Sequence, residues 1–174
     1  MKSSINQYVF HLRVILFTFS VLLFFALPQD GFAQEPPPRT VDVTVVQSLG
    51  FGAFAQGAAG GSVTVNSAGL RSSTGDIILL NLGYVFTAAS YRLVGNAGTV
   101  ISILNGPDVS LPGSNGGSMT LHIGASDPAS PFVLITIPPA YTTMNVGGTL
   151  TVGNPGSNPP GNYSGTFDAT LIQE

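Results

Sequence analysis

Apolar residues recur at every second position through most of the chain, and no window shows the period of about 3.6 residues that marks a helix. Val41, Val43 and Val45 alternate with Asp42 and Thr44, Val63 and Val65 alternate with Ser62 and Thr64, and Tyr91 and Leu93 flank Arg92. Ile101 and Ile103 flank Ser102, Met119, Leu121 and Ile123 flank Thr120 and His122, and Leu150 and Val152 flank Thr151. Within Phe132–Ile137, Val133, Ile135 and Ile137 form one apolar face. Tyr163, Phe167, Ala169 and Leu171 alternate with Ser164, Thr166, Asp168 and Thr170, which predicts one long final strand after a proline-glycine turn. Each run predicts a half-buried strand, because successive side chains of a strand point to opposite faces.

Clusters rich in Gly, Pro, Asn and Ser separate these runs: 57–61, 72–76, 105–108, 112–117, 145–148 and 154–161. Such residues accept positive φ or preset a bend, so each cluster predicts a turn. Short strands broken by regular turns predict an all-β, antiparallel sandwich or barrel. A membrane barrel is disfavoured, since its strands need ~9–11 residues and an aromatic girdle. Most runs here fall short of that length.

The first 33 residues read differently. Lys2 and Arg13 make a basic start, Val14 to Leu27 is mostly apolar, and Gly31 and Ala33 place small residues before Gln34. These features predict a secretory signal peptide over 1–33, since the apolar run between Arg13 and Pro28 is shorter than the ~20 residues of a spanning helix. Residues 34–39, Gln-Glu-Pro-Pro-Pro-Arg, predict a Pro-rich tether in polyproline II. Residues 40–174 then form a single β-sandwich domain. The expected destination is the periplasm, cell surface or extracellular space, with no stable membrane span after cleavage.

Charge narrows the partners. Only 7% of the chain is charged, against about 25% in a typical soluble domain. Residues 34–174 hold three arginines, seven acids, one histidine and no lysine, a net charge of −4. No basic stripe exists to neutralise phosphates, so nucleic acid is not an expected partner. The 44% hydrophobic content excludes disorder, and the absence of cysteine excludes a disulfide-stapled scaffold.

Reactive groups are equally scarce. A nucleophilic triad would need His122, which sits between Leu121 and Ile123 and therefore points away from the apolar face. The acids are scattered, and Asp76, Asp108 and Asp127 stand beside turn residues, where aspartate ordinarily caps the backbone. Asn105 to Asp108 is too thin a ligand set for calcium, and Gly57 to Gly61 lacks the Lys-Ser/Thr of a phosphate loop. No catalytic residue, cofactor or metal site is expected. Asn162-Tyr163-Ser164 matches the glycosylation sequon and is assigned no role. Gly161, Tyr163, Gly165 and Phe167 are expected to be structural, with Tyr163 burying its ring while its hydroxyl bonds nearby backbone, as in the tyrosine corner of Greek-key sandwiches.

Several motifs together resemble a known family. Leu49-Gly50-Phe51-Gly52, Gly61 to Val65, Ala68-Gly69-Leu70-Arg71 with Gly75, Ala88 to Tyr91 with Gly95, Val146 to Leu150, and Gly161 to Phe167 follow in one order. This order resembles the bacterial domain-of-unknown-function family 4402, over most of the chain beyond residue 33. The Gly-x-Tyr pattern near the end is also similar to pilin-like domains of the spore coat U and chaperone–usher type. The resemblance implies an exported, immunoglobulin-like β-sandwich of surface or fimbrial type from a Gram-negative bacterium, and brings no catalytic residues.

The expected function is that of a non-enzymatic structural or adhesive cell-surface protein, a pilin-like subunit assembling by strand addition through Val41, Val43 and Val45. The competing reading of that segment is pairing within its own sheet. Its expected partner is itself or a related β-rich subunit. The alternative is a secreted or periplasmic glycan- or peptide-binding module using Tyr84, Phe86, Tyr91 or Tyr141, all four of which otherwise read as core. A hydrolase ranks third.

Overall fold

A computed structural model of the protein describes residues 40–174. The leader expected over 1–33 and the tether over 34–39 lie outside these residues. Alternation becomes strand: β1 (Asp42–Gln47), β2 (Gly50–Phe51), β3 (Ala53–Val65), β4 (Arg71–Leu80), β5 (Phe86–Thr87), β6 (Ala89–Val94), β7 (Val100–Asn105), β8 (Val109–Pro112), β9 (Ser118–Asp127), β10 (Phe132–Val133), β11 (Thr142–Val152) and β12 (Ala169–Gln173). No helix interrupts them, and every strand pairing is antiparallel.

The seven-stranded sheet is organised around β11. Along one edge β11 pairs with β9; along the other it pairs first with β6, over Thr142–Val146, and then with β3, over Gly148–Val152. The change of partner falls at Gly147, where a Cβ would stand 2.6 Å from the Val65 carbonyl oxygen. Only glycine lets the end of β3 approach so closely. β1 closes the sheet beyond β6, β4 beyond β3, and β8 beyond β9. A second sheet has the order β10-β7-β12, and β2 and β5 form a two-stranded ribbon. Inward side chains from both larger sheets share one apolar core, with Val63, Leu93, Met144 and Val146 from the first and Ile101 and Phe132 from the second.

Three expectations about elements need correction. The clusters at 57–61, 72–76 and 145–148 are not turns but lie inside β3, β4 and β11. Their glycines serve close approach within the sheet: a Cβ on Gly75 would stand 2.6 Å from the Gly60 carbonyl oxygen, and the β3–β4 register shifts between Gln56 and Gly61. The hairpin turn is instead 66–70, where Asn66 Oδ1 accepts the Leu70 N–H at 2.9 Å.

The long final strand is a short one. Regular pairing begins only at Ala169, and between Gly161 and Asp168 the one ladder contact is a bridge from Tyr163 to Gly113. Finally, the faces of Phe132–Ile137 are reversed. Phe132 and Leu134 are buried, whereas Val133, Ile135 and Ile137 are exposed. Every position but Thr136 is apolar, so alternation alone did not say which half faces inward.

Candidate functional site

The absence of a final strand over 161–168 leaves an open groove of about 770 Å³. One wall is Gln47–Phe54, the other Pro159–Phe167, and the floor is built from Tyr91, Leu111, Met119, Leu121 and Leu150. No charged residue lines it. Leu82, Tyr84 and Val85, exposed by 65%, 68% and 72%, form an apolar lip. Burial on the groove floor raises the Tyr91 phenol above its ordinary pKa near 10, because the phenolate loses its water.

The second wall is held by anchors rather than by a ladder. Tyr163 donates its hydroxyl to the Pro159 carbonyl at 2.7 Å, and its ring lies on Gly113, where a Cβ would stand 2.6 Å from it. Gly165 crosses Leu111 so closely that a Cβ would sit 2.7 Å from Cδ2, and Gly161 passes Ser114 Oγ at a corresponding 2.8 Å. Phe167 packs against the core. Asn158, buried in the turn beyond, donates to the Ser118 carbonyl and accepts from Gly153 N–H. Between these anchors, Gly165, Thr166 and Phe167 have no backbone hydrogen bond among the described residues.

Arg71 organises the first wall. Its Nη1 donates to the carbonyls of Phe51 (3.0 Å) and Ala53 (3.1 Å), its Nη2 to that of Leu80 (3.1 Å), and its guanidinium lies 4.4 Å from the centre of the Phe86 ring. One side chain thus ties β2, β3 and β4 to the strand below the lip.

Of Val41, Val43 and Val45, Val45 alone lines the groove. β1 pairs with β6 from Asp42–Val94 to Gln47–Ser90, so the segment lies in its own sheet. Its first end is closed, with Val41 N–H donating to Gln173 Oε1 and the Val41 side chain set against Gly95. Its other end, Val45 and Gln47, opens into the groove. Among the described residues nothing pairs with the outer edge of β1.

The aromatic positions read as core are mostly not core. Tyr84, Phe86 and Tyr141 are exposed, Tyr141 beneath Arg92 at 4.4 Å, and Tyr91 is half-buried. For Tyr84 and Phe86 the neighbours in sequence gave no hint, since Leu82 to Val85 is a mostly apolar loop that the fold leaves exposed ahead of β5. His122 does point to solvent, where Nδ1 meets Asp108 Oδ1 at 2.7 Å. A side-chain exposure of 67% and 56% makes this a surface contact. Among the described residues no three His, Asp or Glu side chains gather as a metal site. No helix among them is long and apolar enough to cross a membrane.

A family model described as a domain of unknown function, DUF4402, matches residues 41–172. The chain belongs to the DUF4402 family. The match takes in every wall and floor residue of the groove. Two of the segments that carry the resemblance to DUF4402, Leu49–Gly52 and Gly161–Phe167, face each other across it. Neither curated proteins nor solved structures gave a match.

Proposed function

We propose that this DUF4402 chain is an exported, non-enzymatic structural or adhesive subunit of a Gram-negative cell surface, an immunoglobulin-like Greek-key sandwich that assembles by β-strand addition. The observation carrying this reading is the outer edge of β1. Val43, Val45 and Val46 are exposed by 39%, 65% and 52% on a strand that, among the described residues, pairs on one side alone. Natural edges are ordinarily guarded by lysine, proline or inward charge; β1 has only the bulge between Val45 and Gln47 and the single acid Asp42. Such an edge accepts a further strand through backbone hydrogen bonds. Val41, Val43 and Val45 act as the receiving edge, since leaving β6 would break their own ladder.

The test expresses the full chain in a Gram-negative host, probes intact cells with protease, and weighs the purified product by light scattering over a range of concentration. Protease-accessible protein whose mass rises with concentration is expected. Val45→Lys should abolish that rise while moving stability by less than ~0.5 kcal/mol. Protein confined to the cytoplasm, or a folded monomer at every concentration, overturns the reading. Binding on a glycan array that Tyr141→Ala removes would favour a binding module instead, because the ring is exposed beneath Arg92.

A further inference from the structure

Apart from Thr136, the segment Phe132–Ile137 is apolar on both faces. Phe132 and Leu134 fill the core, while Val133, Ile135 and Ile137 stand 49%, 82% and 73% exposed on the other side. Leu134 directs its N–H to the Thr99 carbonyl and accepts from Gly98 N–H, both towards β7. By the alternation of an extended strand, the backbone groups of Val133 and Ile135 face the open edge. Branched side chains at alternate positions on an unpaired edge are what strand addition recognises, backbone giving affinity and alternate side chains giving fit. No charge occurs from Pro128 to Tyr141.

The groove supplies the complementary features. Its volume of about 770 Å³ lies within the ~300–1,000 Å³ range of binding clefts. Its second wall presents the backbone of Gly165–Phe167, which has no backbone partner among the described residues, and the outer edge of β1 leads into it. Charge decides between occupants. Residues 40–174 carry six acids against two arginines, a net −4, so two copies repel as wholes and a contact between them is favoured where both surfaces are free of charge. The groove and the 132–137 stripe can meet without burying any charge.

We infer that the exposed stripe of one copy, Val133, Ile135 and Ile137, seats in the groove of a second copy while Phe132 and Leu134 stay in their own core. This names the donor and acceptor within the strand-addition reading and rests on it. The two surfaces share no residue, so the contact is heterologous: each copy keeps one free stripe and one free groove, and the chain grows as a ring or an open filament.

The test uses two double variants of the full chain, each changed at exposed positions so that the core is untouched. Ile135→Asp with Ile137→Asp disables the stripe; Leu82→Asp with Tyr84→Asp disables the groove's lip. Circular dichroism and the urea midpoint establish that both fold. Sedimentation velocity should show wild type growing with concentration and each variant self-associating at least about 30-fold more weakly. Mixed in equal amounts, the two variants retain one good stripe and one good groove between them. They should form a dimer and nothing larger. A mixture that stays monomeric overturns the inference, as does a variant that assembles like wild type or a wild type that remains monomeric. If the stripe variant assembles while Val45→Lys does not, strand addition stands and this donor is wrong.

Discussion

Arg71 joins three backbone segments at the rim of the groove with a single guanidinium. The carbonyls it serves belong to Phe51, Ala53 and Leu80, and its flat face rests on Phe86. A planar fork of donors suits three separated acceptors in a way a compact ammonium does not. Arg71→Ala should therefore lower stability by ~2–3 kcal/mol, the cost of hydrogen bonds to a charged group together with the carbonyls left behind. Arg71→Lys should recover less than half of it, both read from the urea midpoint. At this scale legibility depended on whether a residue acts locally. Tyr163 reaches only four residues back to Pro159, and a tyrosine beside glycines in a turn announces that kind of anchor. Arg71 acts on residues 18 and 20 positions away through backbone oxygens, and no spacing in the chain marks a carbonyl as an acceptor. His122 was legible because a polar residue between two apolar ones has one face left to occupy.

Strand identity followed at most runs where polar and apolar residues alternate, as at Met119, Leu121 and Ile123, all buried in β9, but not from Tyr163 to Asp168, where only Tyr163 makes a bridge. It failed at two further kinds of element. Glycine clusters read as turns lie within β3, β4 and β11, because glycine serves close strand approach as readily as it serves positive φ. A wholly apolar run also hides its inward face. Packing against Gly95 selects Leu134, whose Cδ1 would stand 2.7 Å from a Cβ placed there, and turns Ile135 outward. Substituting these neighbours should give opposite results. Leu134→Ala should cost about 3 kcal/mol through lost burial and the cavity left behind. Ile135→Thr should change stability by less than ~0.5 kcal/mol, because the side chain is already in water. A larger loss for Ile135→Thr than for Leu134→Ala in thermal or urea unfolding would mean that the segment is turned the other way in solution.

At the scale of the whole molecule the scarcity of charge was plain in the sequence, and its distribution was not. Composition cannot say that the groove and the stripe are both free of charge, since their residues converge from 47–54, 82–91, 111–121 and 159–167 on one side and from 132–137 on the other. That distribution fixes how assembly responds to salt. Among the described residues the one contact of salt-bridge geometry is His122–Asp108, and neither residue lines the groove or belongs to the stripe, so added salt has no attraction at the contact to weaken. What salt does reach is the repulsion between copies, each with a net −4 over residues 40–174. Two such charges a domain diameter of roughly 30 Å apart repel by roughly 2 kcal/mol in unscreened water. Screening leaves about 1 kcal/mol of that at about 0.01 M ionic strength and almost none at about 1 M. Self-association should therefore tighten roughly fivefold across that range, measured by sedimentation equilibrium in sodium chloride. A contact held by charged groups would loosen over the same range, so the sign of the change separates an uncharged strand-in-groove contact from an electrostatic one.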